Sequence, residues 1–176
     1  WRDKRDLRKL SLEMRRKYIL PLEISNTCNW GFGHCSPLPE AATHSSWITK
    51  KAVEMIARAP QNQPLFLWVG YVDPHNPFAP PQSWAEKYPS NMIDARLNRK
   101  GEEAAFPSAM RGCRAYYDQF TENDWQTLRA LYYAQVSFMD SQIGRLLDAV
   151  EQKMDMRRTI VVYAADHGEH LGDHGI

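Results

Sequence analysis

Apolar positions along this chain fall into two kinds of run, and each kind predicts a different element. After Thr121, Trp125, Leu128, Tyr132, Val136, Met139, Ile143, Leu146, Leu147 and Val150 recur mostly at spacings of three and four, as on the buried face of a helix. Thr121-Glu122-Asn123-Asp124 approximates a capping box at its start, with Asp in place of the usual Glu. The stripe lasts about seven turns, roughly 40 Å at ~1.5 Å per residue. Ile48, Ala52, Met55, Ile56 and Ala59 predict a shorter helix, capped by Ser45 or Ser46 and stopped by Pro60. Leu7, Leu10, Met14 and Tyr18 predict an amphipathic helix near the start.

Residues 65–72 and 159–164 are instead unbroken apolar runs, the second rich in β-branched residues, and they read as strands covered on both faces. Strand, long crossover with a helix, then strand predicts an α/β protein with a parallel sheet and right-handed crossovers. Prolines, glycines and polar residues make 21–44 an irregular connection, and residues 82–120 read as a variable insertion. The expected division is an N-terminal basic helix and connection over 1–38, followed by one domain over 39–176.

Charge and composition narrow the function. The chain holds 22 Lys and Arg against 21 Asp and Glu, and 43% of its residues are hydrophobic, as in an ordinary globular protein. The first 20 residues carry a net +5, but the remainder carries −4 and no aromatic residues are interleaved with the basic ones, so no nucleic-acid partner is expected. The longest apolar run has eight residues, where a membrane-spanning helix needs about 20. No membrane partner is expected, and the cellular address is left open between cytoplasm and periplasm. Cys28, Cys35 and Cys113 are odd in number and at no metal-ligand spacing, which argues against a disulfide framework. Because it begins at Trp1 and stops at Ile176 just after a polar cluster, the chain is expected to be a fragment.

Both chemically loaded loops directly follow predicted strands, at the sheet ends where α/β proteins place their sites. The later loop holds Asp166, His167, Glu169, His170, Asp173 and His174 among three glycines. This composition suggests a divalent metal, with Asp166 and His167 as the best ligands because the end of a strand fixes their backbone. A zinc set of His167, His170 and His174 would need Gly168 and Gly172 inside a helix, and a solvated turn is the structural alternative. Roles for Glu169, His170, Asp173 and His174 are left open. In the earlier loop, Asp73-Pro74-His75-Asn76-Pro77-Phe78-Ala79-Pro80-Pro81, four prolines restrict the backbone around His75. An imidazole so held can donate to a charged oxygen or protonate a leaving group.

Three blocks resemble the sulfatase family of the alkaline phosphatase superfamily: Gly70-Tyr71-Val72-Asp73-Pro74-His75-Asn76-Pro77-Phe78; Tyr132 through Arg145, with Ser137-Phe138-Met139-Asp140 and Ile143-Gly144-Arg145; and residues 159–175, with Asp166-His167-Gly168-Glu169. The resemblance covers about residues 39–176. It implies an alkaline-phosphatase-like mixed, mainly parallel sheet sandwiched by helices, present here in part. It also implies a hydrolase of small sulfate esters that uses a formylglycine nucleophile and one divalent metal (Ca, Mn, Mg or Zn, with Ca or Mn favoured). By position Asp166 and His167 would be metal ligands, and His75 would contact the transferring group or leaving oxygen. The family signature Cys/Ser-x-Pro-x-Arg does not occur in the 176 residues; Cys35-Ser36-Pro37-Leu38-Pro39 has Pro39 in place of the Arg. The nucleophile is therefore expected outside the chain, and the chain alone is expected to be inactive. Asp166-His167 stands where many sulfatases carry Asp-Asn, a variant similar to bacterial sulfatases and phosphonate monoester hydrolases. The alternatives are a phosphonate, phosphate mono- or diester hydrolase of the same superfamily, and a non-catalytic metal-binding or interaction module.

Overall fold

The computed structural model of this protein describes residues 33–97 and 120–175. The predicted helix at Leu7 to Tyr18, Cys28, Cys113 and residues 98–119 of the predicted insertion lie outside the described residues. Three α-helices order the rest: α1 (His44–Arg58), the single turn α2 (Gln82–Ala85) and α3 (Glu122–Lys153). Both α1 and α2 pack against α3.

The predicted capping box starts α3. Thr121 Oγ1 accepts from Asp124 N at 3.3 Å, and Asp124 Oδ2 accepts from Thr121 N at 2.8 Å. The helix spans 32 residues, about 48 Å at ~1.5 Å per residue. Trp125, Leu128 and Met139 are buried on it as the periodicity requires, whereas Val136 is exposed; Phe138, outside the predicted stripe, is buried, as are Arg129, Gln135 and Gln142.

Two expectations for α1 are corrected. Thr43, not Ser45 or Ser46, caps the helix, accepting from Ser46 N at 3.3 Å. Met55 faces outward, and the buried face is Ser45, Thr49, Ala52, Ile56 and Ala59. Ser45 and Thr49 tolerate burial because each has a partner: Ser45 Oγ donates to Asp73 Oδ2, and Thr49 Oγ1 lies 2.8 Å from Tyr71 Oη.

Residues 65–72 and 159–164 form neither helix nor ladder among the described residues, whose parallel pairing is limited to two single bridges, Gly33 with Phe78 and Ser36 with Pro81. Neither run is covered on both faces as expected. In the first, Leu67, Val69 and Tyr71 are half-buried while Phe66 and Trp68 are 88% and 84% exposed. In the second, Ile160, Val162 and Tyr163 are all exposed. The reason is geometric: a buried sheet strand needs neighbours at both edges and layers on both faces. The described helices reach one side of the first run, through Thr49 and Tyr71.

The core cluster sits at the N-terminal half of α3, where Phe78, Trp125, Leu128 and Leu131 are buried together. Cys35, Ala85, Phe120, Tyr132 and Leu171 pack around them. Full burial of a side chain such as Phe78, Leu128 or Leu131 contributes about 1.5–3 kcal/mol by leaving water. Gly33 fits this core only without a side chain, since a Cβ there would stand 2.9 Å from Leu131 Cδ1 and 3.1 Å from the Phe78 carbonyl. Phe78 and Leu171 belong to the two loops of interest, so the core is also their mounting.

Candidate functional site

The loop carrying His75 begins with a tight turn in which His75 N donates to Val72 O at 3.0 Å. The peptide bonds preceding Pro74 and Pro77 are both cis. His75 is exposed, and its Nδ1 lies 2.6 Å from Asn76 O. A carbonyl only accepts, so Nδ1 carries the proton and Nε2 is the nitrogen left available. Gln135 Nε2 donates to Asp73 Oδ1 at 2.7 Å, and Gln135 Oε1 accepts from Ala79 N at 2.9 Å. Phe78 closes the loop edge-on to Tyr132, with ring centroids 5.2 Å apart.

Asp166 and His167 stand together in the later loop. Asp166 Oδ1 accepts from His167 N at 2.9 Å, and Asp166 Oδ2 lies 3.8 Å from His167 Nε2. His167 Nδ1 lies 2.9 Å from Gly168 O, repeating the arrangement at His75. This hydrogen bond, followed by the Asp166 charge, raises the imidazole above its ordinary pKa. Both side chains are exposed.

Downstream, Leu171, Gly172 and His174 have φ angles of 53°, 86° and 62°, a left-handed stretch that L residues adopt only when their surroundings enforce it. Arg129, whose side chain is 7% exposed, holds part of this stretch. It donates to Leu171 O at 3.2 Å, to Asp94 O at 3.0 Å, and to Asp173 Oδ1. Asp173 Oδ1 also accepts from Leu97 N at 2.8 Å, while His174 N donates to Leu97 O at 2.8 Å. Of the residues left open by sequence, Asp173 thus has a partner in the fold, and the His170 and His174 rings meet edge-on at 6.3 Å. Among the described residues no three His, Cys, Asp or Glu side chains gather as a metal set, so His167, His170 and His174 do not form the zinc trio.

The two loops are therefore fastened to α3 six residues apart, at Arg129 and Gln135, about 9 Å along the helix at ~1.5 Å per residue. Tyr132 lies between these positions. Burial, and then the charges of Glu169 and Tyr163, raise its hydroxyl above the ordinary range. Sequence reasoning missed Arg129 and Gln135. Their signal was available: a guanidinium and, with Gln142, two amides on a helix face otherwise apolar.

Asp166 and His167 suit a divalent ion as part of a ligand set. They offer a hard oxygen and an imidazole nitrogen 3.8 Å apart, and a metal-binding histidine characteristically donates its other N–H to a carbonyl, as His167 does to Gly168. Cys35 belongs instead to the core periphery; burial, and then the Glu86 charge, push its thiol above the ordinary range.

Comparison with known proteins gives the family. Residues 13–176 match the family model described as Sulfatase. An arylsulfatase of Clostridium perfringens (strain 13 / Type A) is 24% identical over 164 residues, covering 87% of this chain and 32% of that protein. Human (Homo sapiens) iduronate 2-sulfatase is 28% identical over 153 residues, covering 78% of this chain and 28% of that enzyme. The phosphonate monoester hydrolase of Agrobacterium radiobacter superposes with a TM-score of 0.69 at 20% identity, over 80% of this chain and 30% of that one. The chain belongs to the sulfatase family and has, in part, the alkaline-phosphatase-like fold. It spans roughly a third of its relatives' length, 32% and 28% for the two sulfatases.

Proposed function

We propose that the full-length protein hydrolyses small sulfate esters, and that this chain supplies two loops of its active site while a formylglycine nucleophile comes from outside it. Asp166 and His167 act as two ligands of one divalent ion, with Ca or Mn preferred over Mg or Zn. When bound, that ion supplies positive charge against the oxygens that become more negative in the transition state. His167 keeps its Nδ1 proton on Gly168 O and presents Nε2. His75, held through Nδ1 by Asn76 O, presents Nε2 to the transferring group; with the ring protonated on both nitrogens, Nε2 donates to an oxygen of that group or to the leaving oxygen. The observation carrying this reading is the fastening of both histidine-bearing loops to neighbouring turns of α3, by Gln135 and Arg129, in a chain of the sulfatase family.

The pair Asp166-His167 favours a second reading, a phosphonate or phosphate ester hydrolase of the same superfamily. Para-nitrophenyl sulfate and para-nitrophenyl phenylphosphonate, assayed on the full-length protein with Ca or Mn, separate the two. Faster turnover of the sulfate, abolished by a chelator and restored by the ion, is the expected result; preference for the phosphonate selects the second reading. No metal-dependent turnover of either ester overturns both. The 176-residue chain by itself is expected to be inactive.

A further inference from the structure

We propose that Gln135 is a positioning residue for His75: its buried amide ties together the two ends of the 73–79 loop and so fixes where the imidazole stands. The inference rests on the role given to His75 above. Gln135 is 2% exposed on the core-facing side of α3, alongside Leu131, Ala134 and Phe138. An amide in such a stripe is costly unless both of its ends find partners. Both ends do, and both partners are in the loop: Asp73 Oδ1, two residues before His75, and Ala79 N, four residues after it. An apolar side chain would fill the same space without these bonds, so space-filling alone does not account for glutamine here.

The bridge is continued into α1. The second carboxylate oxygen of Asp73 accepts from Ser45 Oγ, and Ser45 O accepts from Thr49 Oγ1, which also meets Tyr71 Oη just before the loop. Asp73 is thus held by two helices at once. Among the described residues, Gln135 is the one side chain hydrogen-bonded to both Asp73 and Ala79; the far end of the loop is also held by His34 N and Ser36 N, which donate to the carbonyls of Phe78 and Pro80. His75 itself is exposed, so its placement depends on its backbone being held from both sides.

The polarity of the bridge supplies its test. The carboxylate introduced by Q135E only accepts, so it loses the bond to Asp73 and is repelled by that carboxylate, which draws it off Ala79 N as well. The double variant D73N/Q135E repairs this: the amide introduced by D73N donates to the new carboxylate, and its oxygen accepts from Ser45.

In the full-length protein, Q135E is expected to speed hydrogen exchange at the Ala79 amide and to lower kcat, each by about tenfold or more, while KM stays within about threefold of the parent value. D73N/Q135E is expected to return exchange and kcat to within about threefold of the parent. Q135M, neutral and of similar length, is expected to speed Ala79 exchange as Q135E does, which keeps the test decisive if Q135E does not fold. Unchanged Ala79 exchange in Q135M or Q135E, a double variant as impaired as Q135E, or a loss confined to KM overturns the inference. The exchange result decides it even if the parent protein turns over no ester, an outcome that overturns the proposed function instead.

Discussion

Arg129 and Asp173 form an ion pair that joins the long helix to the loop following Asp166 and His167. The guanidinium also donates to the carbonyls of Leu171 and Asp94, so one buried cation ties two separate stretches of chain to α3. Its planar fork suits this work in a way that a lysine ammonium does not. Replacing Arg129 with Ala strands the Asp173 carboxylate and two carbonyls, and is expected to destabilise the protein by about 3 kcal/mol. Arg129→Lys should recover less than half of that loss. Urea unfolding of the three proteins checks both values; a loss within about 0.5 kcal/mol would show that the pair is not needed.

Gly172 lies between Leu171 and Asp173, the two residues that Arg129 binds in this loop. Its φ is +86°, and a Cβ there would stand 2.5 Å from Trp125 Cδ2 and 2.6 Å from Arg96 Cδ. Gly172→Ala therefore combines a backbone penalty with a clash against a buried indole, and a cost of about 2–4 kcal/mol is expected. Gly168, with nothing within 4 Å of its would-be Cβ, is the control. Thermal melts should show Gly172→Ala well below Gly168→Ala.

Glu122, in the first turn of α3, accepts from Arg96 N at 3.0 Å and from Arg96 Nε at 2.9 Å. Partial burial pushes its carboxyl pKa upward, but these hydrogen bonds and the charges of Arg96 and Arg129 outweigh burial and leave it below the ordinary 4.5. The sign follows from linkage: the unfolded chain binds this proton more readily, so the stabilisation is fully present above about pH 4.5 and is lost as pH falls through the lowered folded value. The side chain is 43% exposed, which keeps the gain small through solvent screening. Melts of the parent and Glu122→Gln between neutral and acid pH should differ most near neutrality and converge at the acid end.

If the full-length protein turns over an ester as proposed, His75→Ala is expected to lower its kcat by more than about tenfold while leaving any bound metal unchanged. Ester turnover and metal content, measured on the same preparation, check this. Undiminished turnover would remove His75 from the mechanism, and loss of metal would assign it a ligand's role.

Much of this architecture was legible in the primary structure. The capping box and the three-four stripe located the long helix, because both signals act within a few residues. Proline placement marked the His75 loop for the same reason. Ser45 and Thr49 were harder to read: polar residues on a buried face are explained only by Asp73 and Tyr71, more than 20 positions away.

By itself, the sequence determined the two long helices, the loops holding His75, Asp166 and His167, and membership in the sulfatase family. Tertiary structure alone decided how those loops are held: an amide at Gln135 and a guanidinium at Arg129, each reaching partners more than 40 residues away. It also decided that the apolar runs at 65–72 and 159–164 stand uncovered among the described residues. The physical reason is range. Periodicity and capping are settled by neighbours in the chain, whereas burial and the pairing of a buried polar group depend on which distant segments meet.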